Sequence, residues 1–309
     1  MRASGMAGAF VAVADDATAV YWNPAGLATG ALASFTFDYG IEETFSDVSQ
    51  PRRGGQRHTA GSIALGLPPF GLTYYRMGEY VAAPPEAAVT NSVGREEVRR
   101  TVQAVVTTTV GATVLQSITD YLVVGTTLKL VRGGAGRGSI GVVNDREALR
   151  RAGQIARREK TTGDLDVGVM VTAGPVRAGA VARNLTTPAF ALDELGSDLL
   201  LDRQVRVGGA WGSGWPGRSR VIVAADADIT RRRAMDGDRR DVAVGAEVWW
   251  LRQRLGVRGG VRSSTVGERR ASVSSGLSAG IANGIYLDAQ AATGAANQRS
   301  WSAGLRIMF

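Results

Sequence analysis

Cysteine is absent from this chain of 309 residues, and histidine occurs once, as His58. Disulfides, thiolate metal sites and cysteine nucleophiles are therefore excluded. One histidine without cysteine builds no metal cluster, which leaves only carboxylates for an adventitious Ca²⁺ among loop acids. A serine triad would require His58, yet no G-x-S-x-G elbow accompanies it, so His58 reads as an incidental residue at a strand edge. No catalytic residue, cofactor or metal is expected, and the chain is expected not to be an enzyme. Long apolar runs are missing too: no stretch approaches the roughly 18 residues that a spanning helix needs. Proline is scarce at 9 residues, whereas glycine reaches 41, which suits many tight strand ends and bends.

The charge is one-sided. The formal net value is +8 and nearly all the cations are arginine. A basic balance points to nucleic acid when it gathers on one face; here the arginines are scattered over the whole sequence, so no nucleic-acid partner is expected. Contacts to lipopolysaccharide phosphates, or an arginine-rich lumen, fit the dispersion better. Gly133-Gly134-Ala135-Gly136-Arg137-Gly138 is glycine-rich like a phosphate loop but lacks the Lys-Ser/Thr ending, and reads as a flexible loop. Asn184-Leu185-Thr186 matches a glycosylation sequon, which carries little meaning in a bacterium.

Beyond about residue 30 the dominant signal is period-two alternation in segments of about ten residues. Trp301, Ala303, Leu305, Ile307 and Phe309 share one face, against Ser302, Gly304, Arg306 and Met308. Val242, Val244, Ala246, Val248 and Trp250 alternate with Ala243, Gly245, Glu247 and Trp249. The same pattern runs through 122–130, 165–172 and 254–262. About fourteen strands are expected, near 31–39, 57–67, 70–76, 98–115, 120–131, 163–173, 176–184, 203–211, 218–228, 239–250, 253–262, 269–281, 285–293 and 299–309. A soluble sandwich alternates as well, so the connections decide. Long ones, such as 77–97, 132–162 and 185–202, alternate with short ones such as Pro68-Pro69, 116–119 and Gly174-Pro175. Transmembrane barrels keep short turns on one side of the membrane and long loops on the other. The expected fold is therefore an all-β, transmembrane antiparallel barrel of about 14 strands spanning 30–309, located in the cell outer membrane. Within 132–162, Ala148, Leu149, Ala152, Ile155 and Ala156 have helical spacing, and Asn144–Lys160 reads as an extracellular loop helix. Met1–Ser4 has no apolar core ahead of a cleavage site, so the export signal is expected to be trimmed or the start to be an internal Met.

Residues 5–28, GMAGAFVAVADDATAVYWNPAGLA, do not read as a transmembrane strand. Asp15 or Asp16 is placed to cap a short helix through Tyr21, and Pro24 forces Asn23 out of helical geometry. The segment is too apolar to lie free in water, and a barrel lumen would cover it. The chain is accordingly divided into an N-terminal hatch or plug, 1–29, and the barrel. The pattern G-A-F-V-A-V-A-D-D-A-x-A-x-Y-W-N-P-A-G-L-A resembles the N-terminal signature of the PorV/PorQ family, which is related to the FadL/TodX long-chain fatty acid transporters with their asparagine-proline-alanine hatch motif. The resemblance covers about 24 residues. It implies a fourteen-stranded barrel with an N-terminal hatch, and sets the motif on Asn23, Pro24 and Ala25. Phe10 and Trp22 join them as the expected gate.

If the apolar faces meet lipid, the opposite faces line the lumen with Lys129, Asp166, Arg177, Arg183, Arg206, Asp226, Asp228, Glu247, Arg254, Arg258, Arg262, Asp288 and Arg306. Two readings stand: salt bridges that stiffen the wall, or a path selecting an anionic head group. Three functions are carried forward. One is passive passage of a hydrophobic small molecule, such as a fatty acid or an aromatic compound, through a hatch-gated lumen. Another is a PorV-like interaction barrel that docks to a protein of a type IX-like secretion machinery or shuttles its cargo. The last is a soluble lectin-like sandwich, which would be extracted without detergent.

Overall fold

The computed structural model describes residues 1–309 except 46–53, 85–87, 91–95, 143–144, 156, 193–196, 214–219, 235–236, 268–269 and 296. Its strands, in chain order, are β1 (Ser34–Thr44), β2 (Gln56–Leu67), β3 (Phe70–Ala82), β4 (Ala88–Thr90), β5 (Glu96–Ser117), β6 (Leu122–Val142), β7 (Arg158–Ala173), β8 (Val176–Arg183), β9 (Ala189–Leu192), β10 (Ser197–Leu200), β11 (Gln204–Ser213), β12 (Arg220–Asp228), β13 (Arg232–Ala234), β14 (Gly237–Arg239), β15 (Asp241–Trp250), β16 (Leu255–Ser264), β17 (Ala271–Ala282), β18 (Ile285–Gly294) and β19 (Gln298–Met308). All but β4 and the hairpins β9–β10 and β13–β14 form one closed antiparallel barrel of 14 strands. The seam is β1 against β19, in continuous register from Ser34 opposite Met308 to Glu43 opposite Arg299.

The alternation seen in the sequence becomes two faces of opposite chemistry. On β6, Leu128 and Leu130 are 66% and 61% exposed, while Thr127 and Lys129 between and beside them are buried. On β15, Val242, Val244 and Trp250 face out, and Ala243, Glu247 and Trp249 face in. Around the barrel the outer face carries Phe37, Ile63, Leu72, Tyr74, Val110, Trp211, Val223, Val261, Leu277 and Trp301, all exposed. A soluble sandwich would turn these side chains inward. Leaving each in water costs about 1.5–3 kcal/mol relative to burial, so an outer face of this composition is built to meet acyl chains.

The connections follow the expected parity as far as β15, while 265–270 and 295–297, at the loop end, are short. Those at 68–69, 118–121, 174–175, 251–254 and 283–284 are short and lie at one end, whereas 45–55, 83–95, 143–157, 184–203 and 229–240 lie at the other. Several strands extend further than the alternation alone predicts. β3 continues to Ala82, β6 to Val142, and β7 begins at Arg158, which shortens the expected 132–162 loop. Gly133–Gly138 is therefore strand, not a flexible loop; it pairs with Val102–Thr107 of β5. Glycine erases the apolar alternation without preventing ladder hydrogen bonds, and Phe190 packs against Gly133 where a side chain would collide. The loop helix is α3, Asp145–Ala152, shorter than the expected segment, of which Asn144 and Ala156 lie outside the described residues.

The segment before β1 packs against the inward face of the strands as far as Leu27, after which Ala28, Gly30 and Leu32 are exposed. It contains α1 (Arg2–Gly5), α2 (Ala19–Trp22) and a 3-10 turn over Pro24–Thr29. The expected helix from Asp15 or Asp16 through Tyr21 is reduced to α2, because both carboxylates are taken by other partners. Asp16 accepts from the backbone N–H of Thr18 and pairs with Arg2, and Asp15 pairs with Arg2 and Arg220. Ala9, Phe10, Ala12, Ala14, Ala17 and Ala19 are fully buried, so this stretch packs as core although it carries little regular structure.

Candidate lumen site

Asn23 begins the 3-10 turn, and each part of its amide is used. Its Nδ2 donates to the carbonyls of Val11 and of Val169 on β7, both at 3.0 Å, while Oδ1 accepts from the N–H of Ala25. One buried side chain thus ties the N-terminal segment to itself and to the wall, and an unmade bond here would cost about 1–3 kcal/mol. Pro24 presets the turn at its first position.

The wall opposite this motif is glycine. A Cβ at Gly168 would lie 2.1 Å from Asn23 Oδ1, one at Gly125 would lie 2.4 Å from Ala25 N, and one at Gly179 would lie 2.8 Å from Asn23 Nδ2. These positions fall on β7, β6 and β8, three adjacent strands, so Asn23, Pro24 and Ala25 rest on bare backbone. Further round, Gly245 and Gly260 admit Met6, Gly208 admits Val11 beside Asp226, and Gly66 and Gly71 admit Leu27. The seat is built into the barrel as much as into the segment.

Charge completes the attachment. Arg2 forks onto Glu247, with Nε and Nη2 at 3.0 and 2.6 Å from the two carboxylate oxygens, and also reaches Asp15 and Asp16. Glu247 takes Arg258 at 3.1 Å; Arg258 takes Asp288 at 2.9 Å; Asp288 takes Arg306 at 3.1 Å and the Ser278 hydroxyl. With Arg220 on Asp15, four arginines (2, 220, 258 and 306) meet four carboxylates (15, 16, 247 and 288), and the buried chain of charges balances. Burial alone would raise the Asp15 carboxyl, but Arg2 and Arg220 hold it at about 2. On the far wall Asp226 accepts the backbone N–H groups of Phe10 and Val11, at 2.7 and 2.9 Å, and pairs with Arg206. Arg2 lies over the Phe10 ring, whose edge meets Trp22, while Arg183 stacks over Tyr21 at 4.4 Å.

The Asn23–Ala25 seat and the Glu247–Arg258–Asp288 chain lie towards the short turns, whereas Arg206, Asp226 and Arg183 lie near the loop ends of β11, β12 and β8. Towards the loops the lumen holds a cavity of about 560 Å³, floored by Ser4, Gly8, Tyr21 and Trp22. Its sides include Tyr75, Met77, Val105 and Val131 together with His58, Lys129, Arg183 and Asn184. Lys129 is held by Asp164 and Asp166 at 2.7 and 2.6 Å and donates to the Asn184 side chain. The sequon asparagine is thus engaged within the protein.

The chain overlays known structures over its whole length. The CymD monoaromatic hydrocarbon channel matches with a TM-score of 0.62 at 13% identity, covering 100% of this chain and 97% of that one. The Ralstonia pickettii toluene transporter TbuX gives 0.61 at 13%, again over 100% and 97%. A Pseudomonas aeruginosa FadL homologue gives 0.57 at 12%, over 100% and 98%. The chain shares the fold of the FadL-like channels. By sequence, residues 94–228 match a family described as F plasmid transfer operon, TraF, protein; that family is not PorV/PorQ. No curated protein matches by sequence.

Within this FadL-like fold the expected gate residues Phe10, Trp22, Asn23, Pro24 and Ala25 come together against the inner wall. Of the expected lumen charges, Arg206, Glu247, Arg258 and Arg306 are buried and paired. Arg177 is half-buried, reaching Thr29 at 3.4 Å. Arg254 departs from expectation. It is exposed in the turn before β16, where Leu251, Arg252 and Gln253 all have positive φ; the alternation was carried one residue too far into a tight turn. Arg2 and the three glycines under Asn23 do not stand out in the sequence. A lone arginine at the head of an apolar segment was the only signal for the first, and inward glycines look like any others.

Proposed function

We propose that this protein is an outer-membrane channel for hydrophobic small molecules and that residues 1–29 form its hatch, with Phe10, Trp22, Asn23, Pro24 and Ala25 as the gate. The observation that carries the reading is the seating of the N-terminal segment. An apolar strand of chain closes the turn-end half of a lipid-facing barrel, resting on backbone glycine and fixed by paired charge, with a partly aromatic cavity open above it. The fold shared with channels named for monoaromatic hydrocarbons and toluene supports the substrate class.

A molecule entering from the loop end would meet Tyr21, Trp22 and Tyr75, whose faces suit planar or aliphatic ligands. Lys129 and Arg262 beside the cavity are paired with carboxylates, while Arg183 is held by Gln204 and the Tyr21 ring, an arrangement that favours a neutral ligand or one with a weakly polar end over a cation. Passage needs the Asn23–Ala25 turn to lift from Gly125, Gly168 and Gly179. Deleting residues 5–28 should raise single-channel conductance in planar bilayers severalfold and speed toluene entry into liposomes. Unchanged conductance with a folded barrel would remove the hatch.

A second reading is a barrel working inside a secretion or transfer assembly. It is favoured by the W-N-P-A-G-L-A wording and by the match of residues 94–228 to a family named for a plasmid transfer operon. A pull-down from detergent-solubilised outer membrane separates the two, since a stoichiometric translocon-sized partner belongs only to docking.

A further inference from the structure

The outer wall changes character sharply along one row of residues. Tyr74, Val110 and Leu130 are paired side by side across β3, β5 and β6, all exposed and apolar. Two residues nearer the loops, about 7 Å along the strands, the same outward face carries Arg76, Thr108 and Arg132, again in register. Arg76 and Arg132 stand two strands apart, roughly 10 Å, with a threonine hydroxyl between them. Both are exposed. Arg132 holds Glu159 at 2.5 Å, and among the described residues Arg76 has no ion-pair partner.

Above this row the wall is roofed from outside. Ala82, Val102 and Ile140 lie on the same outward face of the extended strands, and Ala148, Leu149 and Ala152 of α3 cover them. Leu149 also stands 3.2 Å from where a Cβ of Gly55 would be. The covered face leaves Arg146, Arg150 and Arg151 exposed over the shelf; Arg151 is braced by Glu147 at 2.6 Å. Between residues 132 and 160 there are eight cations (Arg132, Arg137, Arg146, Arg150, Arg151, Arg157, Arg158, Lys160) against three anions (Asp145, Glu147, Glu159), a net +5 out of +8 for the chain. Of these cations Arg137, Arg158 and Lys160 fall on inward positions of β6 and β7, whereas Arg132 and the α3 arginines 146, 150 and 151 lie on the outer side, just beyond the apolar belt.

We propose that Arg76, Thr108 and Arg132, beneath α3, bind the phosphorylated head group of a glycolipid in the outer leaflet. The chemistry fits that ligand. Acyl chains lie along Tyr74, Val110 and Leu130, and the phosphates then fall at the height of two guanidinium forks, which suit bidentate contact. A basic surface for nucleic acid or protein would not need to border an acyl-facing belt. The site also accounts for α3, which leaves the lumen free and instead broadens the cationic shelf outside it.

The inference rests on the lipid-facing reading of the belt, and the test keeps the two apart. Protein purified in detergent is incubated with bisphosphorylated lipid A, and the co-eluting lipid is quantified by mass spectrometry. Retention is expected for the wild type and for the Arg252→Gln, Arg254→Gln variant at the other end of the barrel. It should fall roughly ten-fold or more in Arg76→Gln, Arg132→Gln, the loss expected for a charge-assisted hydrogen bond. Dephosphorylated lipid A should not be retained. Equal retention of both lipids by the wild type overturns the site, and that comparison needs no variant to fold. Wild-type retention by a double variant that keeps its heat-modifiable gel mobility overturns it as well. A barrel that stays soluble without detergent would instead remove the membrane reading itself.

Discussion

The two halves of the lumen solve opposite problems. The half nearer the short turns is filled: Met6, Val20 and Leu27 pack against glycine of the wall, and every strong charge in the Arg2–Glu247–Arg258–Asp288 chain has a partner. The half nearer the loops is left open, a 560 Å³ space with aromatic and polar walls. Filling one half so completely requires bare backbone on the wall and charge brought in by the segment itself. The other half keeps its space even though the β9–β10 hairpin folds onto the inner wall, where Phe190 packs against Gly133 and Leu200 lines the cavity. The difference teaches that closure here is a matter of fit and paired charge at one level of the barrel, not of a thick plug along its length.

The comparison is broken most severely at Glu247. Glu247→Ala strips a buried partner from both Arg2 and Arg258, and removing one side of a buried pair costs about 3–5 kcal/mol. The thermal transition of the barrel, followed by heat-modifiable gel mobility, should fall markedly, and the closed channel should leak. Gly168→Val comes next. Its side chain would occupy the position of Asn23 Oδ1, so conductance should rise towards that of the deletion while the barrel itself stays folded; a tight, non-conducting variant would mean that the segment is seated elsewhere. Asn23→Ala should be milder, loosening the segment by about 1–3 kcal/mol, read as faster proteolysis within residues 5–28 with an unchanged barrel. Acid sharpens the same contrast. Asp15 sits at about 2 against an ordinary 3.8, so its contribution is complete above the ordinary value and is lost as pH falls towards 2. The contribution of Asp15 to closure should therefore be lost only below about pH 4, as an added rise in conductance there. The smallest effect is expected at Arg254→Gln, an exposed turn residue, which should leave conductance and thermal stability unchanged.

Much of this architecture is legible in the sequence. Val242 to Trp250 and Trp301 to Phe309 announce their two faces by simple alternation, and the unequal connections tell a barrel from a sandwich because only a membrane enforces their parity. The motif Asn23-Pro24-Ala25 marked the segment that would need cover. The lengths of β3, β6 and β7 were hidden because Gly133–Gly138 and the basic residues after Arg158 carry no apolar period. Arg254 was misplaced since a turn with three positive-φ residues leaves no trace in hydrophobicity.

By itself, then, the sequence determined which side chains share a face, how many strands follow one another, and that residues 5–28 could not stand in water. Those are local properties, fixed by the two-residue repeat and by the cost of exposing apolar groups. Tertiary structure alone decided which glycines lie beneath Asn23, which carboxylates Arg2 reaches across 245 residues of chain, and that α3 lies outside the wall rather than within it. Each of these depends on strand register and barrel closure, which bring together positions no nearby pattern relates.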